Sequence, residues 1–266
     1  MSRPIYDLIG VGYDTTRKAD PEITRRLQNH LQIFDSRPVI DIACGSGNYT
    51  LALHNLGLNV CGMDLSPLMI DSARKKSKEL EWYLSDVENM TFLDGQFNGA
   101  VCILAIHHFR DLVNSFKEIN RILCEGSRFV IFTSSPEQMQ RYWLKEYFPE
   151  MMNASISQMP NTLAVEKALL DSGFQMLGYE SFMIQPNLQD FFLYSGKYRP
   201  EIYLRPEVRN GISSFASLAC EDEVNEGTKK LEEDLKSGIF KQRSKSYVSE
   251  LGDYLYIVAE KPHSFV

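Results

Sequence analysis

Several features that would direct this chain elsewhere are absent or scarce. The N-terminus, MSRPIYDLIG, has no apolar core of the kind a secretory signal carries, and no apolar run approaches the length that crosses a bilayer. The expected compartment is therefore the cytoplasm, with no membrane partner. The five cysteines (Cys44, Cys61, Cys102, Cys124 and Cys220) are odd in number and stand at no metal-ligand spacing, which points to a reducing environment and to no metal site. Internal repeats and low-complexity stretches are missing. Positive charge is in deficit, with 28 Lys and Arg against 35 Asp and Glu, a net charge of −7 and a pI near 5.3. That balance disfavours broad nucleic-acid binding. The basic run Arg74-Lys75-Lys76-Ser77-Lys78 reads as the solvated end of a helix, where cations suit the dipole.

What is present is an ordinary globular composition, 44% hydrophobic and 24% charged over 266 residues, enough for one large core with a cap. The chain is organised around Val39–Thr50, VIDIACGSGNYT. Val39, Ile40, Asp41 and Ile42 suit a buried strand, Gly45-Ser46-Gly47 a tight turn, and Tyr49, Ala52, Leu53 and Leu56 one face of a helix. Two glycines permit positive φ and leave room for a ligand at the main chain. The helix start offers free N–H groups and partial positive charge. This is the layout of a cofactor cradle.

The cofactor is decided by what surrounds the glycines. A dinucleotide fingerprint would have a third glycine where Thr50 stands, and its pyrophosphate would be repelled by Asp41. A ligand with an ammonium and no phosphate suits the carboxylate better, and S-adenosylmethionine is such a ligand. The pattern Asp41-Ile42-Ala43-Cys44-Gly45-Ser46-Gly47 resembles motif I of the class I S-adenosylmethionine-dependent methyltransferases, in their small-molecule branch. The resemblance places Asp41, Ala43, Gly45, Ser46 and Gly47 at the cofactor.

Downstream, Asn59–Asp64 reads as a second strand, and Asp64 follows Asp41 at about the 20-residue offset at which a carboxylate meets ribose hydroxyls. Ser66-Pro67 caps and starts a helix with Leu65, Met69, Ser72 and Ala73 inward, putting Leu65 and Met69 beside the cofactor. Trp82–Asp86 reads as a third strand. In the resembled family the residues at Asp86 and Val87 contact adenine. Phe97–His108, FNGAVCILAIHH, suits a central strand buried on both faces and resembles motif IV, with Leu104 at the cofactor and a similar His-His ending. On a strand only one of His107 and His108 would face the acceptor, and His107 is the preferred base. The resemblance also places a Tyr…Arg pair, here Tyr13 and Arg17, over the cofactor from an N-terminal helical segment.

A helix beginning at Asp111 and ended by Gly126, a fifth strand at Arg128–Thr133, a helix at Thr162–Asp171 and late strands at Phe174–Met183 and Tyr254–Lys261 complete the pattern. The expected fold is α/β: a Rossmann-like, doubly wound, mainly parallel seven-stranded sheet with a helical, aromatic cap. The expected units are an N-terminal lid (1–37), a cofactor core (38–135, 162–184 and 254–266) and two cap insertions (136–161 and 185–253). The implied function is methyl transfer to a small organic acceptor by direct displacement. Two rivals stand beside it, a protein that binds S-adenosylmethionine without transferring its methyl and a nicotinamide oxidoreductase. The acceptor and the oligomeric state are not legible.

Overall fold

The computed structural model describes residues 13–263, except for the side chain of Tyr13. After a short helix α1 (Tyr13–Thr16) comes α2 (Pro21–Leu31), whose start is fixed by Asp20: its side chain accepts the N–H groups of Glu22 and Ile23, and Pro21 supplies a preset φ. Ile23, Leu27 and Leu31 bury one stripe of this helix against the sheet.

The core then alternates. β1 (Val39–Ile42), α3 (Asn48–Asn55), β2 (Val60–Asp64), α4 (Pro67–Lys76), β3 (Trp82–Leu84), β4 (Phe97–Ile103), α5 (Leu112–Ile122) and β5 (Leu123–Thr133) follow in order. Next come α6 (Pro136–Met139), α7 (Pro149–Gln158), α8 (Thr162–Asp171) and β6 (Gln175–Phe182). The second long insertion carries α9 (Pro206–Asn210), α10 (Ser213–Leu218), α11 (Glu221–Ser237) and α12 (Phe240–Lys245) before β7 (Tyr254–Glu260). The seven strands form one sheet in the order β3-β2-β1-β4-β5-β7-β6, parallel except for β7, which inserts antiparallel between β5 and β6. Strands β1 and β2 are buried throughout, as both-face coverage by helices requires.

Three local expectations are corrected. The inward face of α3 is Tyr49, Thr50 and Leu53; Leu56 lies beyond the helix and is exposed. Strand β4 ends at Ile103, and Ile106–His108 is a turn of 3₁₀ helix. Gly126 does not stop α5, which passes directly into β5 at Leu123. The register there jumps from Phe97↔Leu123 to Gly99↔Arg128, so Gly126 sits in a bulge of β5.

Above the sheet, the segments before α8 and after β6 share one aromatic core. Tyr142 stacks on Tyr194 with ring centroids 4.0 Å apart, and Trp143 meets the edges of Tyr203 and Phe240. Asp253, at the entry to β7, ties the cap together: its carboxylate accepts Lys197 Nζ at 2.8 Å and the Ile184 N–H at 2.8 Å.

Candidate active site

The parallel strands end on one edge, and the turns that leave them build the site. After β1 the backbone passes through Ala43 (φ 56°), Gly45 (φ 56°) and Gly47 (φ 78°), all left-handed. A side chain on Gly45 would meet nothing within 4 Å, so this glycine keeps the approach to the main chain open. At Gly47 a Cβ would fall 2.3 Å from Trp82 Cη2, so its missing side chain admits the indole of β3.

Asp41 is buried, and burial pushes its carboxyl up to about 7. Thr50 Oγ1 donates to Asp41 Oδ2 at 2.6 Å, while Oδ1 is buried without a partner. The residue that breaks the dinucleotide fingerprint thus holds the acid beneath the turn. Asp64 accepts the Gly45 N–H and the Ser66 N–H, each at 2.8 Å, so the second acid clamps the glycine turn to the start of α4.

One cavity of about 960 Å³ runs from this turn into the cap. Arg17, Asp41, Ala43, Gly45, Ser46, Asp64, Leu65, Asp86, Val87, Leu104, His107 and His108 line it. Gly47 and Met69 do not. Met69 points into the core at the first turn of α4, where its N–H is held by the Ser66 cap. The side chain of Tyr13 lies outside the described residues. Asp86 is engaged at the rim, accepting Arg110 Nη2 at 2.6 Å and the Glu88 N–H at 3.0 Å. Leu104 takes φ 54° while its N–H donates to the Phe132 carbonyl at 2.7 Å. Two non-glycine residues in the left-handed region, Ala43 and Leu104, which follow the adjacent strands β1 and β4, therefore line one cavity, the placement expected of strain held at a functional site.

The 3₁₀ turn changes the reading of the histidines. Its tighter winding brings both rings to the cavity, 4.0 Å apart, where a strand would have separated them. Burial, with a smaller contribution from His108, lowers His107 to about 3, and its Nδ1 is buried without a partner. His107 is therefore neutral at pH 7 and a poor proton acceptor, suited to hydrogen bonding more than to holding a proton.

Two polar clusters, joining residues far apart in sequence, close the site and were not legible beforehand. Lys76 is no solvated helix end. Its Nζ donates to Asp14 Oδ1, to the Ser46 carbonyl and hydroxyl and to Asn48 Oδ1, at 2.5–2.8 Å, pinning the N-terminal segment onto the glycine turn. Burial lowers the Lys76 pKa. In the second cluster, Arg17 Nε donates to Asp190 Oδ1 at 2.6 Å, and Tyr49 donates its hydroxyl to Asp190 Oδ2 at 3.2 Å. Asp20 accepts the Gln189 N–H, so the N-terminal segment and the second insertion meet here. Among the described residues, Glu150, Cys220 and Glu223 could together reach a metal ion, but they lie outside this cavity, and Glu223 is already accepting the N–H groups of Glu150 and Met151.

The sequence profile of the methyltransferase-domain family matches residues 40–131, the segment from β1 to β5. A solved structure from Anabaena variabilis, described as a candidate methyltransferase from an antibiotic biosynthesis pathway, superposes with a TM-score of 0.81 at 32% identity, covering 91% of this chain and 98% of that one. The chain belongs to the class I S-adenosylmethionine-dependent methyltransferases. Among curated relatives of this methyltransferase, the demethylmenaquinone methyltransferase of Chlorobaculum tepidum is 26% identical over 66% of this chain and 82% of its own length. The malonyl-[acyl-carrier protein] O-methyltransferase of Legionella pneumophila is 31% identical over 49% of this chain and 50% of its own. The cofactor of the methyltransferase is S-adenosylmethionine, and the site's chemistry agrees: the orphaned Asp41 Oδ1 suits a cationic ligand, and Gly45 leaves the main chain open to it.

Proposed function

We propose that the protein transfers a methyl group from S-adenosylmethionine to a small organic acceptor held under the cap. The supporting observation is the continuity of the cavity, which passes from the glycine turn to Met139, Met159, Phe192 and Ile212 of the two insertions. A protein that only sensed the cofactor would have no use for that extension.

In this reading Asp41, beneath the turn with its free Oδ1, attracts the cofactor's ammonium, and Arg17 and Ser46 border the same end. Asp64 accepts the ribose hydroxyls, beside Leu65, and Asp86 and Val87 take adenine. The bound cofactor supplies a methyl carbon already activated by its sulfonium. The chain's part is then to orient, to exclude water and to place an acceptor in line, which the apolar walls of Ile103, Leu104 and Phe192 favour. Neutral His107 and His108 border the acceptor and fix its orientation by hydrogen bonds. The acceptor is a small molecule and not a nucleic acid, which a net charge of −7 disfavours. Among the described residues no helix is long and apolar enough to cross a membrane.

The test is release of S-adenosylhomocysteine from S-adenosylmethionine by the purified protein, with fractionated small-molecule extracts as acceptors. Release that depends on one fraction is expected. Tight binding of S-adenosylhomocysteine with no release on any fraction would instead favour a binding-only protein.

A further inference from the structure

Past the glycine turn the cavity continues into a chamber walled by both cap segments. Met139, Met159, Phe192, Leu193 and Ile212 give it apolar surface, and Ile103 closes it from the sheet. Ser134, Ser213 and Tyr254 add polar groups to the cavity lining. Ser155 of α7 and Ser214 of α10 both line it, both are more than nine-tenths buried, and their hydroxyls hydrogen-bond each other at 2.8 Å. Two hydroxyls carry two protons, and their mutual bond uses one. The pair therefore has a second proton and spare lone pairs to offer a ligand, and leaving such a buried donor unmet costs about 1–3 kcal/mol.

Charge in the cavity is distributed unevenly. The cations on its wall are Arg17, Lys18 and Arg110, and none belongs to a cap segment. Arg17 is paired with Asp190, Arg110 with Asp86 and Glu88, and Lys18 is exposed at the rim. Five carboxylates (Asp41, Asp64, Asp86, Glu88 and Asp190) share the wall. An anion entering the chamber would lose its hydration and, among the described residues, find no counter-charge there.

Building on the methyl-transfer reading, we infer that the acceptor is a neutral, largely apolar molecule carrying a hydroxyl or carbonyl oxygen. The Ser155–Ser214 pair hydrogen-bonds that oxygen at the seam between the two insertions, selecting neutral acceptors over carboxylates and phosphates. The pair is a specificity element and takes no part in bond making.

Three fluorescent probes of matched size test this: naphthalene, 2-naphthol and 2-naphthoate, titrated at pH 7.5 with and without saturating S-adenosylhomocysteine. In the cofactor-product complex 2-naphthol should bind at least about tenfold more tightly than 2-naphthoate, the cost of an unpaired buried charge. Replacing both serines (Ser155→Ala with Ser214→Ala) should weaken 2-naphthol about fivefold, the scale of one hydrogen bond. Naphthalene and S-adenosylhomocysteine affinities should not change, which also shows the variant to be folded. Equal binding of 2-naphthoate and 2-naphthol, an unchanged 2-naphthol affinity in the variant, or no binding of any probe would overturn the inference. If the probes behave as expected but S-adenosylhomocysteine does not bind, the methyl-transfer reading fails and the chamber assignment stands.

Discussion

Thr50 holds Asp41. Its hydroxyl, one turn into α3, donates to a carboxylate on the preceding strand at 2.6 Å and leaves the other oxygen of that acid bare inside the protein. The contact links the glycine turn's two flanking elements and sets the charge beneath it.

A stability signature follows. Because Asp41 is raised from an ordinary 3.8 to about 7, the folded state holds its proton more tightly than the unfolded chain does. The penalty for ionising it is absent below about pH 4 and complete above about pH 7, so the ligand-free protein should lose stability across that window. Asp41→Asn should melt higher than wild type at pH 8, by up to a few kcal/mol, and nearly alongside it at pH 4, while binding S-adenosylhomocysteine more weakly. Thr50→Val, which removes a donor to the charged form, should move the window upward. Parallel melting curves for wild type and Asp41→Asn at every pH would refute the buried-acid account.

The two glycines should separate by phenotype. Gly47→Ala sets a Cβ against Trp82 and demands a left-handed alanine, so it should destabilise the fold by about 2 kcal/mol or more. Gly45→Ala meets open space and should cost about 1–2 kcal/mol of backbone strain, yet weaken S-adenosylhomocysteine binding more than its stability loss explains. Thermal melts and calorimetry on the same two variants decide it; equal stability losses would mean the indole can move aside.

Asp190 joins the second insertion to Arg17 and Tyr49, and it is nearly fully buried. Asp190→Ala removes the acceptor of several charged hydrogen bonds and should cost about 2–3 kcal/mol. Amide exchange should quicken in residues 14–20 and 186–193 while the central strands stay protected. Uniformly faster exchange would mean that the contact stabilises the whole fold and not the closure.

Since His107 is lowered to about 3, it does not titrate between pH 5 and 9. His107→Ala should therefore reduce turnover without changing the shape of the pH profile, measured on whichever extract fraction supports S-adenosylhomocysteine release. Loss of an ionisation near pH 6–7 in the variant would restore His107 as the base.

The core was readable because its signals are local. Asp20-Pro21, Ser66-Pro67 and Asp111 announce helix starts within a few residues, and Val39–Ile42 declares a buried strand by its side chains alone. The missed features depend on partners distant in sequence. Lys76 looks like a solvated cation until Asp14 is brought to it, and Asp190 is anonymous until Arg17 arrives from 173 residues away. The histidine turn failed for a different reason. An apolar run shows where burial continues, but the change from strand to 3₁₀ winding after Ile103 leaves no mark in hydrophobicity.

The position of β7 has a consequence for synthesis. It is the last of the described strands, yet it lies between β5 and β6 and hydrogen-bonds both. As the polypeptide emerges from the ribosome, β1 to β5 can pair in turn, but β6 must wait unpaired while the whole second insertion is made. The gap is filled from the C-terminal side only when Tyr254–Glu260 appears, and Asp253 and Tyr254 bring the cap's anchor points with them. The chamber under the cap is therefore completed after β1 to β5, and a nascent chain stalled before β7 would hold a nearly finished cofactor half beside an exposed strand edge.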